Sequence, residues 1–335
     1  MNPRHRRLLI PGLLLALLVV VLVASLADRA DAVESQTVSS MDDPRITESS
    51  GLVVSASHAD LAYTINDSGN DPIVFAVRIS TGEVVGTTTV AGGALVDTEA
   101  LALDTDGVLW IADTGDNLEQ RDDVALYTID EPGEGDHSVT ATRYPLSYPD
   151  GPRDVEALAI DPATGSRYLL TKGFLGGTVL RLPERLSTSS PNVPVDLDVE
   201  LPLMVTDATV TPDGAFALVR TYIAVHVVDL SDWTVDRSIA VRMQPQGETI
   251  AMEPSGESFL VGSEGQGSEL VRMGFDPSGA QSAVPTATPS PAGDLVADEA
   301  AGSERTWWVV GAAGLLALAL VVVLLARRRD ADVRV

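Results

Sequence analysis

The sequence contains no cysteine among its 335 residues. A disulfide-stapled scaffold and a thiolate zinc site are both excluded. Any folded domain in this chain must be held by its packed core alone. Aromatic residues are scarce, at 4%, and basic residues number 22 against 48 acidic ones, a formal net charge of -26 at pH 7. Such a surface repels the nucleic-acid backbone, which excludes a nucleic-acid partner, and it suits cations or basic partners. Only four histidines occur, and one of them, His5, lies in the N-terminal basic run. No serine sits in a Gly-x-Ser-x-Gly elbow, and neither a phosphate-binding loop nor a dinucleotide fingerprint is present. Between the termini no segment has the apolar spacing of an amphipathic helix.

Long apolar runs are confined to the two ends. Residues 1–32 have the form of a signal peptide. Arg4, His5, Arg6 and Arg7 precede an apolar run from Leu8 to Ala27, and Ala30-Asp31-Ala32 then offers small residues where a signal peptidase reads. The run is nearly as long as the ~20 residues that span a bilayer, so an uncleaved anchor is the alternative. Residues 307–326 are uncharged, apolar and of spanning length. Trp307 and Trp308 stand at one border, and Arg327, Arg328 and Arg329 follow the other. Arginines remain on the cytoplasmic side, so this helix predicts a single-pass cell-membrane protein with its domain outside and residues 327–335 as a cytoplasmic basic tail. Residues 277–306, with Pro285, Pro289 and Pro291 among Ala, Ser, Thr and Gly, lack the large apolar residues of a core and read as a spacer.

The region between, residues 33–276, repeats itself. Five openings align: SSGLVVSA from Ser49, TEALALDT from Thr98, VEALAIDP from Val155, TDATVTPD from Thr206 and GETIAMEP from Gly247. Each alternates or runs apolar in the manner of a buried strand. Turns at Asp106-Gly107, Thr164-Gly165, Asp213-Gly214 and Ser255-Gly256 lead four of them into a second apolar run, and third runs follow. A return every ~40–57 residues is the period of propeller blades. The fold class expected is all-β, a β-propeller of five blades plus a C-terminal transmembrane helix. The Pro-rich stretch 176–203 leaves room for a sixth blade. The last repeat lacks a fourth strand, and residues 34–40 could supply it and close the ring.

In register, the openings form a column of Ser50, Glu99, Glu156, Asp207 and Glu248. If these begin innermost strands, four carboxylates meet at one mouth of the central channel, a costly arrangement unless a cation or a shared proton relieves it. Oxygen donors at irregular spacing favour calcium over zinc. The other reading is that each acid faces water or bonds backbone amides of the next blade. A second column, at the ends of the second strands, holds Asp67, Asp113, Lys172, Arg220 and Glu264. Asp113-Thr114-Gly115-Asp116-Asn117 packs several oxygens into one loop, although it lacks the full calcium-loop pattern. The metal candidates are thus Glu99, Asp113, Glu156, Asp207 and Glu248. Lys172 and Arg220 could stabilise a phosphate beside a metal, or could neutralise the acidic ring.

The strings SSGL, NDSG, DTEALAL, LWIADTGDN, YPDGPRDVEALAIDP and QGETIA resemble secreted bacterial propellers grouped as phytase-like, or "esterase-like activity of phytase", proteins. The resemblance covers residues 46–275. It implies a propeller and makes calcium more plausible, with Glu99, Asp113, Glu156 and Glu248 as the positions that match. The fuller set of acidic and basic site residues of the calcium-dependent propeller phytases is not complete here. Two functions follow from the sequence. One is a binding or scaffold module of the cell envelope whose face meets an envelope protein or a small anionic ligand. The other is a calcium-assisted phosphoester hydrolase in which Lys172 and Arg220 stabilise the phosphate.

Overall fold

A computed structural model describes residues 35–279 apart from Ala94 and Met243. The expected signal peptide, transmembrane helix and cytoplasmic tail lie outside the described residues, as does all but the first part of the spacer. Among the described residues no helix is long and apolar enough to cross a membrane.

The described chain enters as β1 (Ser35–Met41) and then builds four-stranded antiparallel meanders. Blade 1 holds β2 (Ser49–Val54), β3 (Leu61–Asn66), β4 (Ile73–Arg78) and β5 (Val84–Ala91). Blade 2 holds β6 (Thr98–Leu103), β7 (Val108–Asp113) and β8 (Ala125–Asp130). Its chain then detours through β9 (Gly135–Thr140), which pairs in parallel with β5 of blade 1, before β10 (Thr142–Pro145) completes blade 2. Blade 3 holds β11 (Val155–Ile160), β12 (Arg167–Thr171), β13 (Thr178–Arg181) and β14 (Val195–Glu200). Blade 4 holds β15 (Val205–Val210), β16 (Phe216–Thr221), β17 (Ala224–Asp229) and β18 (Val235–Ala240). Blade 5 holds β19 (Gly247–Met252), β20 (Ser258–Ser263) and β21 (Ser268–Gly274), and β1 returns as its fourth strand, antiparallel to β21. The stretch 176–203 supplies β13 and β14 of blade 3, so the described residues form five blades and no sixth.

Why these segments become stacked strands is visible in where alternate side chains go. Leu109 and Ile111 of β7 pack with blade 1, whereas Trp110 and Ala112 pack with blade 3. Likewise Ala217 and Val219 of β16 join blade 3, and Leu218 joins blade 5. A strand buried on both faces needs apolar residues at every position, which is why the repeats run apolar instead of alternating. Five hydrophobic clusters result, one in each inter-blade interface. The closing cluster gathers Met41, Ile46, Phe75 and Leu260, so the ring is sealed by apolar packing as well as by the pairing of β1 with β21. The hairpins from first to second strands use Gly107, Gly165, Gly214 and Gly256 at φ of 70° to 76°. Asp60 takes the same left-handed conformation in blade 1, at φ 60°.

The innermost strands β2, β6, β11, β15 and β19 neighbour one another in a closed ring. All five start at the same face, here the upper face. Second strands end there, and the loops to the third strands and between blades lie there too.

Candidate functional site

Each innermost strand carries a register shift at its start. The pairing skips Ser50 between Ser49 and Gly51, Glu99 between Thr98 and Ala100, Glu156 between Val155 and Ala157, and Thr206 between Val205 and Asp207. In β19 the shift falls between Gly247 and Ile250. A bulge kinks its strand and re-aims the extra side chain. Position by position, the structural column is therefore Ser50, Glu99, Glu156, Thr206 and Glu248. Asp207 stands one residue further along than the sequence register placed it.

Hydroxyls of this column tie blade to blade. Ser50 Oγ donates to the Glu99 carbonyl at 3.0 Å and to Glu99 Oε2 at 3.0 Å. Thr206 Oγ1 donates to the Glu248 carbonyl at 2.8 Å. Asp207 does the same work with a carboxylate. Its Oδ2 accepts the Ile250 amide of blade 5 at 2.8 Å and its Oδ1 accepts the Ala208 amide at 2.8 Å. Complete burial pushes its pKa well up, partly offset by those two amides. Asp207 thus follows the backbone-amide reading and is spent as a brace.

The carboxylates the fold does bring together are Asp67, Asp97 and Glu99, each offering an oxygen within 4.8 Å of the others. Of the five expected ligands, only Glu99 joins this group. Asp67 belongs to the second column of the sequence, and Asp97, which opens the DTEALAL string, lies outside both columns. Glu99 is 4% exposed. Burial, and then the charges of Glu156, Asp67 and Asp97, hold its carboxyl far above the usual range. Asp97 is pushed up to about 6 by burial and then by the charge of Asp67. Gly115 leaves the room for this group, because a Cβ there would lie 2.2 Å from Glu99 Oε1 and 2.7 Å from Asp97 Oδ2.

Asp113, the last residue of β7, positions the group. Its Oδ1 accepts the Asp97 amide at 2.9 Å, the Val96 amide at 3.2 Å and Arg121 Nη2 at 2.9 Å. Arg121 also donates to the Gly115 carbonyl at 2.7 Å, and Asp116 Oδ2 accepts the Arg121 amide at 2.7 Å. The oxygen-rich loop is therefore wound around a guanidinium.

Across the mouth the basic candidates are engaged. Lys172 Nζ lies 2.9 Å from Glu156 Oε1 and 5.8 Å from the centre of the Tyr222 ring. Burial pulls the Lys172 pKa down, but Glu156, together with Tyr222 and Glu248, turns the net shift upward. Burial pushes Glu156 up to about 8 against the pull of Lys172. Arg220 is 0% exposed, donates to Gln244 Oε1 at 2.9 Å, and is pushed down to about 10 by burial. Gly247 makes its position available, since a Cβ there would come within 2.2 Å of Arg220 Nη2. Burial raises Glu248 to about 7, while charges from Lys172, Glu264, Asp67 and Arg220 act on it from four blades. The acids and bases therefore share one axial mouth, with a cation-suited acidic side and a paired acid–base side.

The far ends of the five innermost strands enclose a cavity of about 270 Å³ lined by Leu52, Leu101, Leu158, Val210 and Met252 among others, with no acidic ring. Ser55, His58 and Glu131 meet between blades 1 and 2, but the serine at 3.3 Å and the glutamate at 3.4 Å both address His58 Nδ1. A nucleophile–base–acid relay needs them on opposite ring nitrogens, so this is an inter-blade clasp.

No known protein-family model matches the sequence, and neither does any curated protein. Solved structures with some similarity include a putative 6-phosphogluconolactonase from Bacteroides uniformis, 16% identical over 69% of this chain and 68% of that one, with a TM-score of 0.37. Another is a gluconolactonase from Xanthomonas campestris, 11% identical over 73% of this chain and 87% of that one, with a TM-score of 0.43. Neither likeness is high enough to carry an inference about activity. What the topology itself establishes is an all-β, five-bladed propeller.

Proposed function

We propose that this chain is a single-pass protein of the cell membrane that holds its propeller outside as a binding or scaffold module of the envelope, with calcium at the acidic mouth. The anchor in this reading is the 307–326 helix, reached through the 277–306 spacer. The observation that carries the calcium part is the Asp67–Asp97–Glu99 group. Calcium–oxygen distances of about 2.3–2.6 Å put oxygens on opposite sides of the ion roughly 4.6–5.2 Å apart. Carboxylate oxygens within 4.8 Å of one another fit that span, and the room kept by Gly115 supports it. Calcium would supply the positive charge that three crowded carboxylates lack.

The test is thermal unfolding of the full chain with millimolar calcium and with chelator. A rise in melting temperature with calcium, lost in Glu99→Gln and Asp97→Asn, is the expected outcome. Equal melting in both conditions sinks the calcium reading.

The phytase-like hydrolase is the second reading. It is favoured by Glu156 and Glu248, whose carboxyls lie near neutrality and so suit proton transfer. Against it, Lys172 is paired with Glu156 and Arg220 is enclosed in the wall, so neither presents a free cation to a phosphate. A phosphomonoester panel separates the readings: calcium-dependent turnover abolished by Lys172→Ala establishes the hydrolase, and no turnover leaves the binding module.

A further inference from the structure

We propose that the upper face of the propeller docks a protein segment in which basic side chains alternate with apolar ones, the basic groups entering the acidic mouth and the apolar groups covering its rim. This rests on the reading of the protein as a binding module and names the kind of partner.

The first observation is where apolar surface is left uncovered. Val96, Leu118, Phe174, Leu175, Leu203 and Ile223 are exposed, Phe174 at 85% and Leu175 at 97%. All six lie on loops of the upper face: before β6, between β7 and β8, between β12 and β13, before β15, and between β16 and β17. The other large exposed apolar residues among those described, Val193, Val195 and Val235, lie on or beside the outer strands β14 and β18. Of these, Val193 lies on the β13–β14 connection of the opposite face, and Val195 and Val235 are the first residues of their strands at that end. Scattered apolar side chains are ordinary on a protein surface, but the gathering of six of these nine on one face, the two most exposed among them, marks an interaction surface. The Met204 amide donates to the Gly173 carbonyl at 3.1 Å and the Leu201 amide to the Gly177 carbonyl at 2.9 Å, which holds the Phe174–Leu175 loop beside the Leu203 turn.

The second observation is the charge this rim surrounds. Beside the Asp67–Asp97–Glu99 group assigned to calcium, Glu48 and Glu264 are only half-buried at the mouth. Glu248 is more than nine-tenths buried, and its Oε2 has no hydrogen-bond partner. Of the two cations that act on it, Lys172 is already paired with Glu156 and Arg220 is enclosed in the wall beside Asp207 and Gln244. An incoming basic side chain would find uncompensated carboxylates, and its apolar neighbours would find Phe174, Leu175 and Ile223. A second copy of the chain would bring two acidic mouths together, and an anionic lipid surface would be repelled. Charge complementarity thus selects the basic, apolar segment.

The test uses the full chain in phosphatidylcholine nanodiscs and three labelled 12-residue peptides. One alternates Lys with Leu and Phe, one has Glu in place of Lys, and one has Ser in place of Leu and Phe. The Lys/Leu/Phe peptide is expected to bind, more weakly at high salt, and both controls are expected to bind at least ~10-fold more weakly. The double variant Phe174→Ser/Leu175→Ser is expected to lose about 10-fold in affinity while melting at the wild-type temperature. Absence of binding, or binding that this variant leaves unchanged, overturns the proposal. So does rim-dependent self-association without peptide binding, or rim-dependent binding to phosphatidylglycerol vesicles in its place. Calcium-dependent melting of the same variant separates the two readings. A retained calcium shift without peptide binding sinks the docking inference alone, and peptide binding without a calcium shift sinks the calcium reading alone.

Discussion

At the scale of single residues, the same residue type serves opposite ends depending on one step of register. Glu99 and Asp207 look equivalent in the aligned openings. The bulge places Glu99 at the mouth and leaves Asp207 one position on, against the Ala208 and Ile250 amides. Asp207→Ala would strand two buried amide donors, and a loss of about 1–3 kcal/mol in denaturant unfolding is expected. Unchanged stability would show that the brace contributes nothing. Gly115 makes the complementary prediction. Its Cβ would collide with Glu99 Oε1 and Asp97 Oδ2, at 2.2 and 2.7 Å. Gly115→Ala should therefore weaken calcium binding at least ~10-fold by calorimetry, with little change in melting in chelator, because a rigid site tolerates small displacements poorly. Asp97 was hidden from the sequence reading because it precedes its strand. It is held in place by the hydrogen bond that its backbone N–H donates to Asp113 Oδ1, 16 positions away.

At the scale of elements, first, second and third strands were legible because each carries an apolar run bounded by turn residues. Less legible were strands whose identity depends on partners. β14 is largely exposed and follows a Pro-rich stretch, so the sequence left a sixth blade open there. β9 is also largely exposed and serves as a fifth, parallel strand on blade 1. β1 was expected to close the ring and does, by pairing with β21 and burying Met41. Deleting Ser35–Met41 should uncover the β21 edge and open the closing cluster. A lower, less cooperative thermal transition by circular dichroism and self-association in size-exclusion chromatography are expected. Wild-type melting of the deleted chain would show that closure is dispensable.

At the scale of the whole molecule, five blades pool their ionisable groups at one axis, and the consequence is a pH dependence. Asp97, Glu248 and Glu156 are raised to about 6, 7 and 8, chiefly by burial. Unfolded carboxyls titrate near pH 4, so the folded chain holds more protons between about pH 4 and 8. Their contribution is therefore full at the acidic end and is lost as pH rises through those folded values. In chelator, the melting temperature should fall between pH 5.5 and 8, and Glu156→Gln or Glu248→Gln should flatten the fall. A melting temperature that climbs over that range would contradict the crowded mouth. By itself the sequence determined the repeat, the propeller and the acidic character of the column, because apolar periodicity and turn chemistry are local properties of the chain. Only the tertiary structure decided which acids share a space. Side chains from different blades meet through bulges, closure and inter-blade hydrogen bonds. These depend on residues dozens of positions apart, such as Asp67 with Asp97 and Asp207 with Ile250.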